Sequence, residues 1–197
     1  INFQKLIGSM VYNNLIQRIF VTIFLLSIYL IISINYLDYL IILISIIYIM
    51  IIIEVLLNFK KFKYSILLYL FISFLFFYNI NFDNQNIIKL HLMIIIISSF
   101  DIFSYFVGYN LGKIKILKNI SPNKTLEGFI GGLICTIILS MSLFYFLFSN
   151  LNLNYFIFTL MIILSSFFGD IIESFFKRKN NIKNSNNFLP GHGGFFD

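Results

Sequence analysis

The 197-residue chain is 59% hydrophobic, only 11% charged, carries a formal net charge of +6 and has a positive mean hydropathy. A water-soluble domain of this size needs far more charge to cover its surface, so lipid is its main solvent. The single cysteine, Cys135, lies in an apolar run, where it reads as small filler and excludes a disulfide framework or a cysteine-based metal site within one chain.

A helix crossing a hydrocarbon core of about 30 Å needs about 20 apolar residues. Six stretches meet that pattern: Leu15–Ile34, Tyr39–Leu57, Tyr64–Ile80, Ile87–Leu111, Leu126–Ser149 and Tyr155–Phe176. They are apolar nearly all round and lack period-2 alternation, which predicts an all-α polytopic protein and not a barrel. The first stretch is too long for a cleavable leader and has no small-residue cleavage site. Residues 1–90 contribute N-terminal membrane helices only, and 91–197 carry the polar loops.

Between the stretches the charge alternates. Lys5 and Arg18 flank the first, Lys60, Lys61 and Lys63 follow the second, Lys113, Lys115, Lys118 and Lys124 the fourth, and Lys177, Arg178, Lys179 and Lys183 the sixth. Thirteen of the fourteen basic residues thus fall on one side, leaving Lys89 on the other. Basic loops are retained in the cytoplasm, so the N-terminus and these loops are expected there, with a bacterial inner membrane as the location. The basic excess follows topology and gives no indication of nucleic acid.

Three polar clusters interrupt the apolar pattern. In the first, Asp101, Ser104, Tyr105 and Gly108 share one helical face at spacings of three and four. A carboxylate inside a span costs about 2.5–3.5 kcal/mol, so Asp101 and Asp170 are expected to line a wet cavity. The second cluster runs Ser121-Pro-Asn-Lys124-Thr125-Leu-Glu127-Gly. Ser121 before Pro122 reads as a helix N-cap, and a helix N-terminus beside Lys124 and Thr125 suits an anion. The glycine spacing is not that of a Walker A loop.

The third cluster places Asp170, Glu173, Ser174 and Lys177 along one helical face, followed by Arg178, Lys183-Asn184 and the run Pro190-Gly-His192-Gly193-Gly194-Phe-Phe-Asp197. A glycine-rich turn lets backbone N–H groups approach a ligand closely. Asp170 and Asp197 are expected to share a divalent cation if the loop folds back, since Mg²⁺ takes one or two carboxylates plus substrate phosphates. A zinc site is disfavoured because the other histidine, His91, opens the fourth stretch on the far side. Set against these readings, Gly108 also suits a close interhelical contact, the second cluster a capped helix with an interfacial lysine, and His192 an ordinary loop position.

Read together, these segments resemble the CDP-diacylglycerol synthase family, also called phosphatidate cytidylyltransferases. The resemblance rests on Ser174-Phe-Phe-Lys177-Arg178, Lys183-Asn184 and Pro190-Gly-His-Gly-Gly-Phe-Phe-Asp197, with Asp101-x-x-Ser-Tyr-Phe-Val-Gly and Ser121-Pro-Asn-Lys-Thr-Leu-Glu-Gly upstream, over residues 98–197. It implies transfer of a cytidylyl group from CTP to phosphatidate in phospholipid synthesis, Mg²⁺ with an accompanying K⁺ on Asp170 and Asp197, and a homodimer. It also implies phosphate contacts from Lys177, Arg178, His192 and the neighbouring Lys183, Ser174, Gly193 and Gly194. Asn184 departs from the family aspartate. The chain begins at Ile1 and stops at Asp197, where the family continues with Arg-x-Asp and a further helix, so a truncated chain is expected. The competing readings are a transporter using Asp101 and Asp170 as ion sites, a CTP-dependent lipid kinase or CDP-archaeol synthase, and a scaffold without activity.

Overall fold

A computed structural model of the protein describes residues 3–80, 82–191 and 193–197, with side chains from residue 16 onward except at 84 and 85. Among these residues six α-helices form: α1 Phe3–Asn35, α2 Leu40–Asn58, α3 Lys63–Tyr78, α4 Asn84–Leu111, α5 Leu126–Phe148 and α6 Leu153–Lys179. Strands β1, Lys115–Leu117, and β2, Ser121–Thr125, pair antiparallel between α4 and α5. The protein is an all-α polytopic membrane protein in which this small hairpin is an addition.

Five helices among the described residues are long and apolar enough to cross a bilayer. The stretch expected over Tyr64–Ile80 is the exception. It forms the 16-residue α3, about 24 Å long at 1.5 Å per residue and short of a 30 Å core. Its limits are set locally: Phe62 enters in a left-handed conformation, and the Asn79 amide donates back to the Leu75 carbonyl at 2.7 Å. The six expected stretches thus form six apolar helices, five of full spanning length and one shorter. Outward-facing Phe20, Phe76 and Phe146 are each more than 70% exposed, as suits surfaces that meet acyl chains.

The chain divides into two compact units, one of Ile1–Asn84 with Phe176–Asp197 and one of Gln85–Phe175. In the first, Val55, Phe59, Ile66 and Leu70 form a core joined by Phe176, Ile182 and Phe196. Asn180 ties the end of α6 to the α2–α3 turn: its side-chain oxygen accepts the Lys60 and Lys61 N–H groups at 2.8 and 2.7 Å, and its amide donates to the Lys61 carbonyl. In the second unit, Leu92, Ile96, Phe100, Phe144 and Ile163 form the core, with Phe129 and Phe167 packed against it.

Close approach of α4 and α5 depends on glycines. A Cβ on Gly132 would lie 2.8–2.9 Å from the Ser104 backbone and Cβ, and one on Gly128 would lie 2.7 Å from the Ser104 carbonyl. Small residues let membrane helices approach this closely. Gly132→Val is expected to destabilise the second unit by about 1–3 kcal/mol through overpacking, read as a lower unfolding temperature of the protein in detergent.

Candidate functional site

The N-cap expected at Ser121 is instead Thr125, whose hydroxyl accepts the Gly128 N–H at 3.2 Å as α5 begins at Leu126. Ser121 and Pro122 open strand β2. Proline lacks an N–H but is tolerated at the first residues of an edge strand, and Thr125 offers the same capping oxygen three residues before a free N–H. Glu127, expected to meet substrate, turns back on the connection. Its carboxylate accepts the N–H groups of Lys113 (3.0 Å) and Ile114 (3.2 Å), fixing the entry to the hairpin.

The hairpin delivers Lys124 to a cavity within the second unit. Its ammonium lies 2.8 Å from Asp170 Oδ2 on α6 and 5.0 Å from the centre of the Phe167 ring. A cavity of about 270 Å³ surrounds this pair, lined also by Asp101, Ser104 and Tyr105 of α4, by Ser121, Asn123 and Thr125, and by apolar Phe100, Phe129 and Phe167. The structure thus brings together Asp101, Ser121, Lys124, Thr125 and Asp170 from three separate sequence segments. The Asp170 side chain is 48% exposed and that of Lys124 24%, so the pair is reachable by a ligand and contributes little to stability. Two carboxylates and one ammonium on a largely apolar cavity suit a cation and a phosphate together.

The first unit holds a different arrangement. The loop after α6 closes on itself through the Leu189–Gly193 bridge, with mutual backbone hydrogen bonds of 2.8 and 3.0 Å. Gly191 and Gly193 take positive φ of 79° and 122°, which glycine adopts without the strain a Cβ would bring. Asp197 then accepts hydrogen bonds from the N–H groups of Ser185 and Gly194, each at 2.8 Å to Oδ2, and its Oδ1 lies 2.9 Å from the Lys177 ammonium. The Lys177 and Asp197 side chains are only 12% and 10% exposed. Asp197 Oδ1 also takes the Ser185 N–H at 3.0 Å, so both oxygens already have donors.

Burial alone would raise the Asp197 carboxyl, but the Gly194 N–H, the Lys177 ammonium and the Ser185 N–H hold it below the usual range. A carboxyl lowered on folding adds stability above its unfolded value of about 3.9 and loses it as pH falls through the lower folded value. The difference in unfolding temperature between wild type and Asp197→Asn is therefore expected to be full near neutral pH and to close in acid below about pH 4.

Other expected site residues are placed less centrally. Arg178 donates to the Ile182 carbonyl at 3.2 Å, and Lys183 is exposed. Glu173 and Ser174 are half-buried on α6, and Gly193 and Gly194 are buried in the loop. His192 lies outside the described residues. Glu54 of α2, which the sequence motifs do not include, is fully buried and accepts from Ser185 Oγ and from the N–H groups of Phe195 and Phe196.

As to a divalent cation, Asp101 and Asp170 are hard oxygen donors on one cavity, which suits Mg²⁺ with phosphate oxygens completing its shell. Asp197 is already occupied by N–H and ammonium donors.

Comparison with known proteins places residues 6–197 within the model of the cytidylyltransferase family. A phosphatidate cytidylyltransferase of Staphylococcus haemolyticus (strain JCSC1435) is 40% identical over 132 residues, covering 66% of this chain and 49% of that protein. The protein of the same name from Staphylococcus aureus (strain COL) is 40% identical over 131 residues, with the same coverage. That from Bacillus subtilis (strain 168) is 39% identical over 120 residues, covering 59% of this chain and 44% of the relative. The chain spans about half the length of the curated relatives it matches.

Proposed function

The chain belongs to the cytidylyltransferase family, and from that premise we propose that its protein transfers a cytidylyl group from CTP to phosphatidate. The names of the relatives support this substrate pair, and one observation carries the reading: Asp101, Lys124 and Asp170 converge on one cavity in a membrane-embedded unit. In the reaction a phosphate oxygen of phosphatidate attacks the α-phosphorus of CTP. The bond to the β-phosphate oxygen breaks, pyrophosphate leaves, and CDP-diacylglycerol remains. The attacking oxygen is already ionised, so no strong base is needed. The demand is to hold two anions in line and to offset charge on the departing pyrophosphate.

Lys124 supplies a fixed positive charge on the cavity wall, held by Asp170 and resting against the Phe167 ring. Phe100, Phe129 and Phe167 lower the local dielectric, which strengthens each polar contact. Mg²⁺ held by Asp170, with Asp101 on the same cavity, would neutralise phosphate charge where it builds up. Ser121, Asn123 and Thr125, from the same strand as Lys124, add hydrogen-bonding groups to the lining. Lipid tails stay in the bilayer while the headgroup meets CTP. The basic loops, including an open basin lined by Lys113, Lys115 and Lys118, would then face the cytoplasm of a bacterial inner membrane and attract anionic phosphates.

The test is conversion of CTP and phosphatidate by the full-length protein in mixed micelles. Mg²⁺-dependent formation of CDP-diacylglycerol is expected. CDP release with lipid phosphorylation would show a kinase instead.

A further inference from the structure

We propose that Glu54, in the N-terminal part of the chain and outside every sequence motif, is a positioning residue for the C-terminal loop. Its catalytic consequence rests on the cytidylyl-transfer reading; its structural part does not.

Glu54 lies in the last turns of α2 and is 0% exposed. A buried carboxylate is costly unless donors surround it. Its Oε1 takes the Phe195 N–H at 2.8 Å, and its Oε2 takes the Phe196 N–H at 2.9 Å and the Ser185 hydroxyl at 3.0 Å. The preceding N–H, that of Gly194, goes to Asp197 Oδ2 at 2.8 Å. Three consecutive backbone N–H groups are thus divided between two carboxylates. Ser185 joins them: its Oγ lies 3.0 Å from Glu54 and 3.1 Å from Asp197, and a hydroxyl has one proton to give.

The loop has no room to meet Glu54 in another way. A Cβ at Gly194 would collide with both Ser185 Oγ and Glu54 Oε2. Phe196 is set edge-on against Phe59, whose ring centre is 5.1 Å away, so the loop's apolar side is anchored on the end of the same helix. From Glu54 the constraint passes through the backbone of 194–196 to Asp197, and from Asp197 across 2.9 Å to the Lys177 ammonium. Lys177 stands in the last turn of α6, the helix that also carries Asp170. Glu54 therefore fixes where that cation sits without touching substrate.

The experiment uses Glu54→Gln in the full-length protein in nanodiscs. The amide keeps the shape but presents an NH₂ group to loop N–H donors. Amide hydrogen exchange at Gly194–Phe196 is expected to quicken at least about tenfold while α4 and α5 stay unchanged. The kcat is expected to fall about ten- to a hundredfold with little change in KM for CTP, the pattern of an interaction made in the transition state. Unchanged exchange at Gly194–Phe196 would overturn the proposal, as would faster exchange with intact kcat. If wild type itself makes no CDP-diacylglycerol, the functional reading fails and exchange alone decides the loop contact. Should Glu54→Gln not fold, Ser185→Ala removes a single donor and is expected to give the same pattern at smaller size.

Discussion

Asp170→Asn is expected to cut kcat for cytidylyl transfer by about a hundred- to a thousandfold, the usual scale for losing one well-placed electrostatic group, while leaving the unfolding temperature nearly unchanged. The substitution is isosteric, and an asparagine oxygen can still accept from Lys124, now 2.8 Å from the carboxylate. What disappears is the negative charge. Because the Asp170 side chain is about half exposed, its pairing with Lys124 adds little to stability, so folding has little to lose. The reaction has much to lose, since the charge both holds Lys124 at the cavity and belongs to the carboxylate proposed to hold Mg²⁺. Gly169→Ala is the matched control: nothing lies within 4 Å of the added Cβ, and alanine favours helix. A large loss of stability in Asp170→Asn, or an equal loss of activity in both variants, would assign Asp170 a structural role.

Gly194→Ala is expected to act in the opposite sense, through folding of the loop. Its added methyl would overlap Ser185 Oγ and Glu54 Oε2, neither of which is the free end of a flexible chain, because both are held by hydrogen bonds. Relief requires the loop backbone to withdraw from Glu54. That breaks hydrogen bonds to a charged acceptor worth about 1.5–3 kcal/mol each and leaves a buried carboxylate short of donors. The expected outcome is a loss of about 3 kcal/mol or more in the first unit, with protease cleavage appearing between Lys183 and Asp197. A stable, protease-resistant Gly194→Ala protein would show that the loop does not need this close approach.

Composition was enough to read the solvent and the helical class, because long apolar runs without alternation have few other solutions. The start of α3 was legible to within one residue, but its end was not: the apolar run continues to Ile80, and the Asn79 side chain, donating back to the Leu75 carbonyl, closes the helix at Tyr78. The β1–β2 hairpin was hidden because lysines and asparagines between two spans read as loop, and one three-residue strand carries almost no periodic signal. Thr125 and Ser121 both offered a capping hydroxyl, and only the position of the Gly128 N–H decides between them.

The site followed a similar division. Asp101 and Asp170 stood out as carboxylates in apolar stretches and Lys124 as a lysine at a helix start, but their meeting depends on packing within the second unit, which spacing along the chain does not encode. Glu54 was visible as a charge in a span. Its partners Ser185, Phe195 and Phe196 lie 131 to 142 residues away and act mostly through backbone N–H groups, which leave no mark in sequence.

Cytidylyl transfer and phosphoryl transfer differ in which phosphorus reaches the lipid. The full-length protein, in vesicles containing phosphatidate, should be given Mg²⁺ and CTP labelled in one arm at the α-phosphorus and in the other at the γ-phosphorus. Cytidylyl transfer puts the α label in the lipid and the γ label in pyrophosphate, and both are expected to be lost in Asp170→Asn. Label from the γ position in lipid, or full turnover by Asp170→Asn, would contradict it.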